Sequence, residues 1–153
     1  MRAVSKSRGS SLRRSTWVAS PSVRSVPAVG PRQLRNFYRA ADVLVMPSIR
    51  TATFREPWGL VANEAMNQHV PVIASDAVGA AAGGLVQSER NGLVVPADES
   101  TALAAALRRL AGDRALRERL GDAAAADVGA YTPAAWAGGM SAALRSVGRS
   151  RDH

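Results

Sequence analysis

Several features of common enzyme classes are missing from this sequence of 153 residues. It contains no cysteine, which excludes disulfides, thiolate nucleophiles and cysteine-ligated zinc sites. No apolar run reaches about 18 residues, so no membrane-spanning segment is expected. The two histidines, His69 and His153, are too isolated to form a metal site with carboxylates. We therefore expect neither a metal nor another cofactor.

Acidic residues are missing before Asp42, so the net charge of +8 belongs mainly to the N-terminal stretch. Residues 1–22 are rich in serine and arginine and show neither a helix nor a strand period. Such a composition buries too little apolar surface to offset the entropy of ordering. The sequence therefore predicts a disordered basic leader at residues 1–22. An organellar transit peptide and an aberrant start are the alternatives.

A basic arm of this kind can bind nucleic acid or anionic lipid by releasing counterions. Trp17 is its single aromatic residue, and no recognisable nucleic-acid module follows it. Nucleic acid is therefore not the expected partner. We expect a cytoplasmic protein, with attachment to a membrane surface as the alternative.

From residue 23 onward, short apolar runs alternate with segments of helical period, which predicts βαβ units and a parallel, doubly wound sheet. We predict an α/β, Rossmann-like domain at residues 23–153, with helices on both faces of the sheet and a helical C-terminal third. A Gly/Ala-rich loop is expected at residues 77–90. The predicted strands are 43–46, 71–76 and 91–98, after an extended piece at 23–29; the predicted helices are 31–42, 59–68, 102–112, 113–128 and 133–147.

Details of the C-terminal third follow from side-chain types. Asp98 or Ser100 is suited to cap the helix that follows, because both side chains accept backbone hydrogen bonds. Leu103, Leu107 and Leu110 form the predicted apolar stripe of that helix. Pro133 fits the first turn of the last helix.

The segment REPWGLVANEAM is the most informative part of the chain. Glu56 and Glu64 stand eight positions apart, on either side of the expected helix start near Gly59. The N–H groups of residues 59–61 lack helical partners, so they could bind a diphosphate while the carboxylates accept bonds from sugar hydroxyls. Acids near helix starts also occur because they complement the dipole, and this spacing alone does not separate the two interpretations.

A family resemblance favours the functional interpretation. The segments FYRAADVLVMPS, FREPWGLVANEAM, VPVIASDAVGA, NGLVVPAD and ALAAAL resemble, in order and spacing, the C-terminal domain of retaining GT-B glycosyltransferases of family 4, the glycosyl transferases group 1. The resemblance covers residues 23–147. It implies the C-terminal, donor-binding half of a GT-B fold and transfer of a hexose from a nucleotide diphosphate sugar to an acceptor hydroxyl, with retention of configuration and without a metal.

The resemblance also implies roles for individual residues. Glu56 is expected to contact the donor sugar and place its anomeric carbon, which makes it the candidate catalytic residue. Glu64 is expected to accept hydrogen bonds from the 2′- and 3′-hydroxyls of the ribose. The sugar and the diphosphate are expected to contact the main chain of Trp58, Gly59, Leu60 and Val61.

More distant parts of the donor site are implied by the same resemblance. Residues 26–34 are expected to flank the nucleobase, mainly through backbone contacts. Asp76 and Gly79 are expected on a loop facing the same cleft.

Three departures from the family pattern matter. His69 replaces a glycine that ends the helix, which predicts a strained helix end rather than a catalytic histidine. Gly84 stands where an acid is usual. The upstream strand with its arginine and lysine, and the whole N-terminal acceptor domain, are not found, so we expect a truncated domain that exposes apolar surface and has weak or no activity alone.

Two other interpretations stay open at this stage. The chain could be a non-catalytic nucleotide-sugar-binding module that needs a separate N-terminal half. It could also be a small basic protein that binds nucleic acid through its leader.

Overall fold

The computed structural model describes residues 26–53 and 56–149 of the chain. The predicted leader at residues 1–22 lies outside the described residues, as do residues 23–25. Three strands form a parallel sheet in the order β1-β2-β3. The strands are β1 (Leu44–Met46), β2 (Val72–Ser75) and β3 (Gly92–Val95), and the helices are α1 (Pro31–Ala40), α2 (Leu60–Met66), α3 (Gly79–Ala82), α4 (Ser100–Gly112), α5 (Arg114–Val128) and α6 (Pro133–Arg149).

The strands are short apolar runs because both faces of the sheet are covered. All four residues of β2 are buried. Val72 and Ala74 pack on one face against α2 and the end of α5, and Ile73 packs on the other face against α4 and the start of α5. The predicted α/β fold, with helices on both faces of a parallel sheet, is confirmed.

The sequence interpretation was wrong at residues 77–90, where it predicted a loop throughout. Residues 79–82 form the short helix α3, with N–H donations from Ala82 to the Val78 carbonyl and from Gly83 to the Gly79 carbonyl. Ala80 is fully buried. Tertiary packing therefore orders a Gly/Ala segment that shows no helical period of its own. In the described part of the predicted extended piece, residues 26–29 form no strand.

The predicted cap and stripe of α4 also need correction. Glu99 occupies the N-cap position without a side-chain cap, since Asp98 has a left-handed backbone (φ 65) and Ser100 is already helical. Leu110 is buried, but Leu107 is exposed, because Ala106 occupies the core-facing position instead. Leu103 and Leu110 of the predicted stripe do pack against the core, so the prediction fails only at Leu107.

Helix α6 begins at Pro133 as predicted, and Thr132 caps it by accepting a hydrogen bond from the Ala135 N–H at 3.1 Å. One stripe of this helix faces solvent with large apolar side chains, Trp136, Met140, Leu144 and Val147. The described residues thus expose apolar surface, as the sequence led us to expect. No helix in the described ranges is both long and apolar enough to cross a membrane.

Helix α2 ends in a left-handed turn at His69, whose φ is 60. The Val70 N–H donates to the Ala65 carbonyl at 3.2 Å and the His69 N–H to the Met66 carbonyl at 3.0 Å, the pair of bonds that defines a Schellman end. The predicted strained helix end is confirmed. His69 also contacts Asp122 through Nδ1 at 3.0 Å, but both side chains are mostly exposed.

We expect the substitution His69→Gly to raise the free energy of unfolding by about 1 kcal/mol, since glycine adopts a left-handed backbone without strain. The lost contact with Asp122 offsets little of this gain, because exposed ion pairs contribute little. His69→Val should destabilise the protein, since a β-branched residue tolerates positive φ poorly. Urea unfolding of the three proteins measures both effects. A His69→Gly variant less stable than the native chain would contradict the strain at this helix end.

Candidate functional site

The carboxyl ends of the three parallel strands meet at one edge of the sheet, the usual ligand edge of open α/β sheets. Asp76 connects the loops at this edge through hydrogen bonds. Its carbonyl accepts a hydrogen bond from Arg50 Nη2 at 2.9 Å, and its Oδ1 accepts one from the Ala97 N–H at 3.1 Å. Asp76 therefore lies at the predicted edge. Arg50 was missed, because nothing in the local sequence links it to a residue 26 positions away.

The loop at residues 56–58 rests against the start of α3. The Gly79 N–H donates to the Glu56 carbonyl at 3.1 Å, and the Ala80 N–H donates to the Trp58 carbonyl at 2.8 Å. A Cβ atom at Gly79 would lie 1.9 Å from the Pro57 carbonyl oxygen. Gly79, predicted to face the cleft, thus allows two backbone segments to touch and fixes the loop that carries Glu56.

Gly59 stands directly before α2 with φ 85, and the helix begins at Leu60, next to the predicted start. A side chain at Gly59 would also meet the Met46 Cε atom at 2.2 Å. Leu60 and Val61 are exposed, with 71% and 40% of their surface accessible. Within residues 26–53 and 56–149, the N–H groups of Gly59, Leu60 and Val61 have no hydrogen-bond partner. Two of these amides thus belong to residues that are exposed at the start of α2.

Trp58 is held by two side chains and lies close to the glycine at position 83. Its indole Nε1 donates to Asn63 Oδ1 at 2.8 Å, and its ring centroid lies 5.7 Å from that of Tyr131. A Cβ atom at Gly83 would come within 2.7 Å of the indole ring. The indole is therefore held by packing and by one hydrogen bond, and the main-chain carbonyl of Trp58 accepts the hydrogen bond from the Ala80 N–H.

Glu64 is exposed on α2 and accepts a hydrogen bond from the Tyr38 hydroxyl of α1 at 2.9 Å. The two residues line a cavity of about 420 Å³ between α1 and α2. Its lining residues are the apolar Pro31 and Leu34 and the polar or charged Arg35, Tyr38, Glu64, Asn67 and Gln68. Leu34 belongs to the segment predicted to flank a nucleobase. Glu56 is not among the lining residues, so the structure does not bring the two predicted carboxylates into this cavity together.

Tyr38 is a hydroxyl donor at all physiological pH values. Burial raises the pKa of its phenol to about 12, and the hydrogen bond to the Glu64 carboxylate and that group's negative charge act in the same direction. Because the folded-state pKa is raised above the ordinary value of 10, the Tyr38 hydroxyl keeps its proton at pH values up to about 10. It loses that proton only as the pH rises through about 12.

Among the described residues, no group of three or more histidine, aspartate and glutamate side chains is placed to hold a metal ion. The cation within the α1–α2 cavity is Arg35, and Arg50 at the sheet edge lies 3.7 Å from Asp76 Oδ1. The polar chemistry of the site is therefore that of carboxylates, backbone amides and arginines, which suits hydroxyl groups and phosphates.

A parallel sheet with helices on both faces defines an α/β protein of the doubly wound class. The family model described as Glycosyl transferases group 1 matches residues 19–127. The chain belongs to this family of glycosyltransferases.

Known relatives agree with the family. The D-inositol 3-phosphate glycosyltransferase of Streptomyces avermitilis is 44% identical over 106 residues, which cover 67% of this chain and 21% of that protein. Sucrose-phosphate synthase from Thermosynechococcus elongatus matches with a TM-score of 0.66 at 36% identity, over 82% of this chain and 30% of that chain. Anabaena Alr3699/HepE in complex with UDP matches with a TM-score of 0.52 at 30% identity, over 60% of this chain and 24% of that chain.

These matches identify the part of a glycosyltransferase to which the chain corresponds. Its fold is that of the C-terminal domain of GT-B glycosyltransferases, as the sequence resemblance implied. The chain spans about a fifth of the length of the curated relative from Streptomyces avermitilis.

Proposed function

We propose that this chain binds the nucleotide diphosphate sugar donor of a retaining, family 4 hexosyltransferase. The observation that carries the proposal is the position of Glu64, an exposed carboxylate in a cavity between α1 and α2 that the apolar residues Pro31 and Leu34 also line. A carboxylate suits two vicinal ribose hydroxyls, and apolar lining residues suit a nucleobase. The UDP in the matching Anabaena structure supports a nucleoside diphosphate as the ligand.

The roles of the other site residues complete this proposal. The diphosphate would lie against the free N–H groups of Gly59, Leu60 and Val61, and the hexose would lie near Glu56 and the main chain of Trp58. These amides are fixed in place before the reaction, because Gly79 and Ala80 hold the loop that precedes them. Preorganised donors stabilise negative charge where it develops, here on the departing diphosphate.

The proposed reaction breaks the bond between the anomeric carbon and the diphosphate oxygen and forms a bond from that carbon to an acceptor hydroxyl oxygen. The hydroxyl proton and the nucleoside diphosphate leave. Glu56 would orient the sugar so that the configuration at the anomeric carbon is retained. No metal is included in this scheme, in which the backbone amides of residues 59–61 balance part of the charge of the diphosphate.

We expect Glu64→Ala to weaken donor binding by about tenfold to a hundredfold, because it removes two hydrogen bonds to a charged group. Calorimetric titration with UDP-, GDP- and ADP-sugars measures the affinity of the native chain and of the variant. Glu118→Ala is a matched control, since Glu118 is an exposed helical glutamate paired with Arg114 on α5. Equal affinity of the native chain and Glu64→Ala for each donor would refute the ribose contact.

Transfer by this chain alone is proposed to be slower by at least about 10³-fold than in a complete GT-B enzyme, because acceptor orientation and exclusion of water contribute on that scale. The specific alternative is a binding module that works with a separate N-terminal half. Activity that appears upon mixing with such a half supports the module. A salt-dependent affinity for DNA that is lost when residues 1–22 are deleted supports the nucleic-acid alternative instead.

A further inference from the structure

The contact between Tyr38 and Glu64 joins two helices across 26 positions of the chain. Tyr38 lies near the end of α1, which contacts α2, and is partly buried. Glu64 is exposed, and within the described ranges its carboxylate accepts a hydrogen bond from Tyr38 alone. The bond therefore restricts the orientation of the more exposed Glu64 side chain.

The bond leaves most of the carboxylate free to accept other groups. An ionised carboxylate offers about four lone-pair sites, and the Tyr38 hydroxyl occupies one of them on Oε2. The other oxygen has no hydrogen-bond partner among the described residues, and both side chains line the α1–α2 cavity. A free glutamate side chain loses rotamer entropy when it binds a ligand, and a glutamate already held in place loses less.

We propose that Tyr38 is a positioning residue that holds the Glu64 carboxylate in the plane needed to accept both ribose hydroxyls of the donor. This inference rests on the proposed function, in which Glu64 binds the ribose. Tyr38 itself does not touch the nucleotide in this arrangement. By holding the Glu64 carboxylate, which accepts hydrogen bonds from the ribose hydroxyls, Tyr38 sets the preference for a ribonucleotide.

The test compares UDP with 2′,3′-dideoxy-UDP, which lacks both ribose hydroxyls, in calorimetric titrations of the full chain. The native chain should bind UDP at least about tenfold more tightly. Tyr38→Phe keeps the packed ring and removes the hydroxyl. It should weaken UDP binding by about three- to tenfold, the effect of one hydrogen bond, and leave dideoxy-UDP binding unchanged. A purely structural role would weaken both ligands equally.

A double-mutant cycle sharpens the comparison, since Tyr38→Phe should have no further effect on UDP binding in a Glu64→Ala background. Tyr38→Met serves as a second variant of similar bulk if circular dichroism shows that Tyr38→Phe is unfolded. One contrary result is that the native chain binds UDP more tightly than dideoxy-UDP and Tyr38→Phe keeps that full preference; another is that Tyr38→Phe binds UDP more tightly than the native chain does. Either result overturns the positioning role and leaves the proposed function standing. If the native chain binds both nucleotides equally or binds neither, the ribose contact of the proposed function fails first.

Discussion

The substitution Gly79→Ala is expected to lower the free energy of unfolding by about 2–3 kcal/mol, as overpacking against backbone does. The new Cβ atom would lie 1.9 Å from the Pro57 oxygen and 2.5 Å from its carbonyl carbon. Neither backbone atom can rotate away, so the loop at residues 56–58 must move by roughly 1.5 Å to restore normal contact. A shift of that size displaces the amides and Glu56 from the donor, and donor binding should be lost.

Urea unfolding and donor titration of Gly79→Ala measure these two effects. Gly112→Ala is the matched control, because a Cβ atom at Gly112 meets nothing within 4 Å. That variant should change stability by less than about 1 kcal/mol. Native-like donor affinity in a folded Gly79→Ala protein would show that the position of the 56–58 loop does not matter for binding.

The second large effect is expected at Asn91, which is fully buried before β3. Its Oδ1 accepts a hydrogen bond from the Gln87 N–H, and its Nδ2 donates to the Leu85 carbonyl and to Asp127 Oδ2, each at 2.8 Å. Asn91→Ala leaves the Leu85 carbonyl and the Gln87 N–H without these partners and removes one of the bonds to Asp127 Oδ2, which Arg90 Nε still contacts. We expect a loss of about 3 kcal/mol in the free energy of unfolding.

The Asp127 end of this network stays charged well below neutral pH. The Arg90 guanidinium holds the pKa of Asp127 below its usual value, and Asn91 acts in the same direction. Asn36→Ala on the exposed face of α1 is the control, with an expected change below about 0.5 kcal/mol. Urea unfolding at neutral pH compares the two variants, and similar stabilities would mean that the Asn91 network contributes little.

The strands and long helices could be predicted from the sequence because their signals are local. The apolar runs at residues 43–46 and 71–76 indicate strands that are buried on both faces, and the start of α2 follows from Gly59. The motif around Glu56 and Glu64 identified the family, since its spacing lies within one loop and one helix. Each of these signals spans few positions.

What the sequence did not predict depends on contacts between distant segments. Helix α3 has four residues and forms because Gly79 and Ala80 bond to the loop at residues 56–58. The pairing of Tyr38 with Glu64 and that of Arg50 with Asp76 each join residues 26 positions apart. No local pattern carries such information, because the distances depend on how α1, α2 and the sheet pack.

The proposed donor site depends on a diphosphate bound to the amides of residues 59–61. The most direct test is a titration of the nitrogen-15-labelled chain with UDP, followed by the amide chemical shifts, with uridine as the ligand that lacks the diphosphate. We predict that UDP causes its largest shifts at Gly59, Leu60 and Val61 and that uridine leaves these three amides nearly unchanged. Shifts confined to residues 1–22, or equal shifts with uridine, would contradict the proposed diphosphate site.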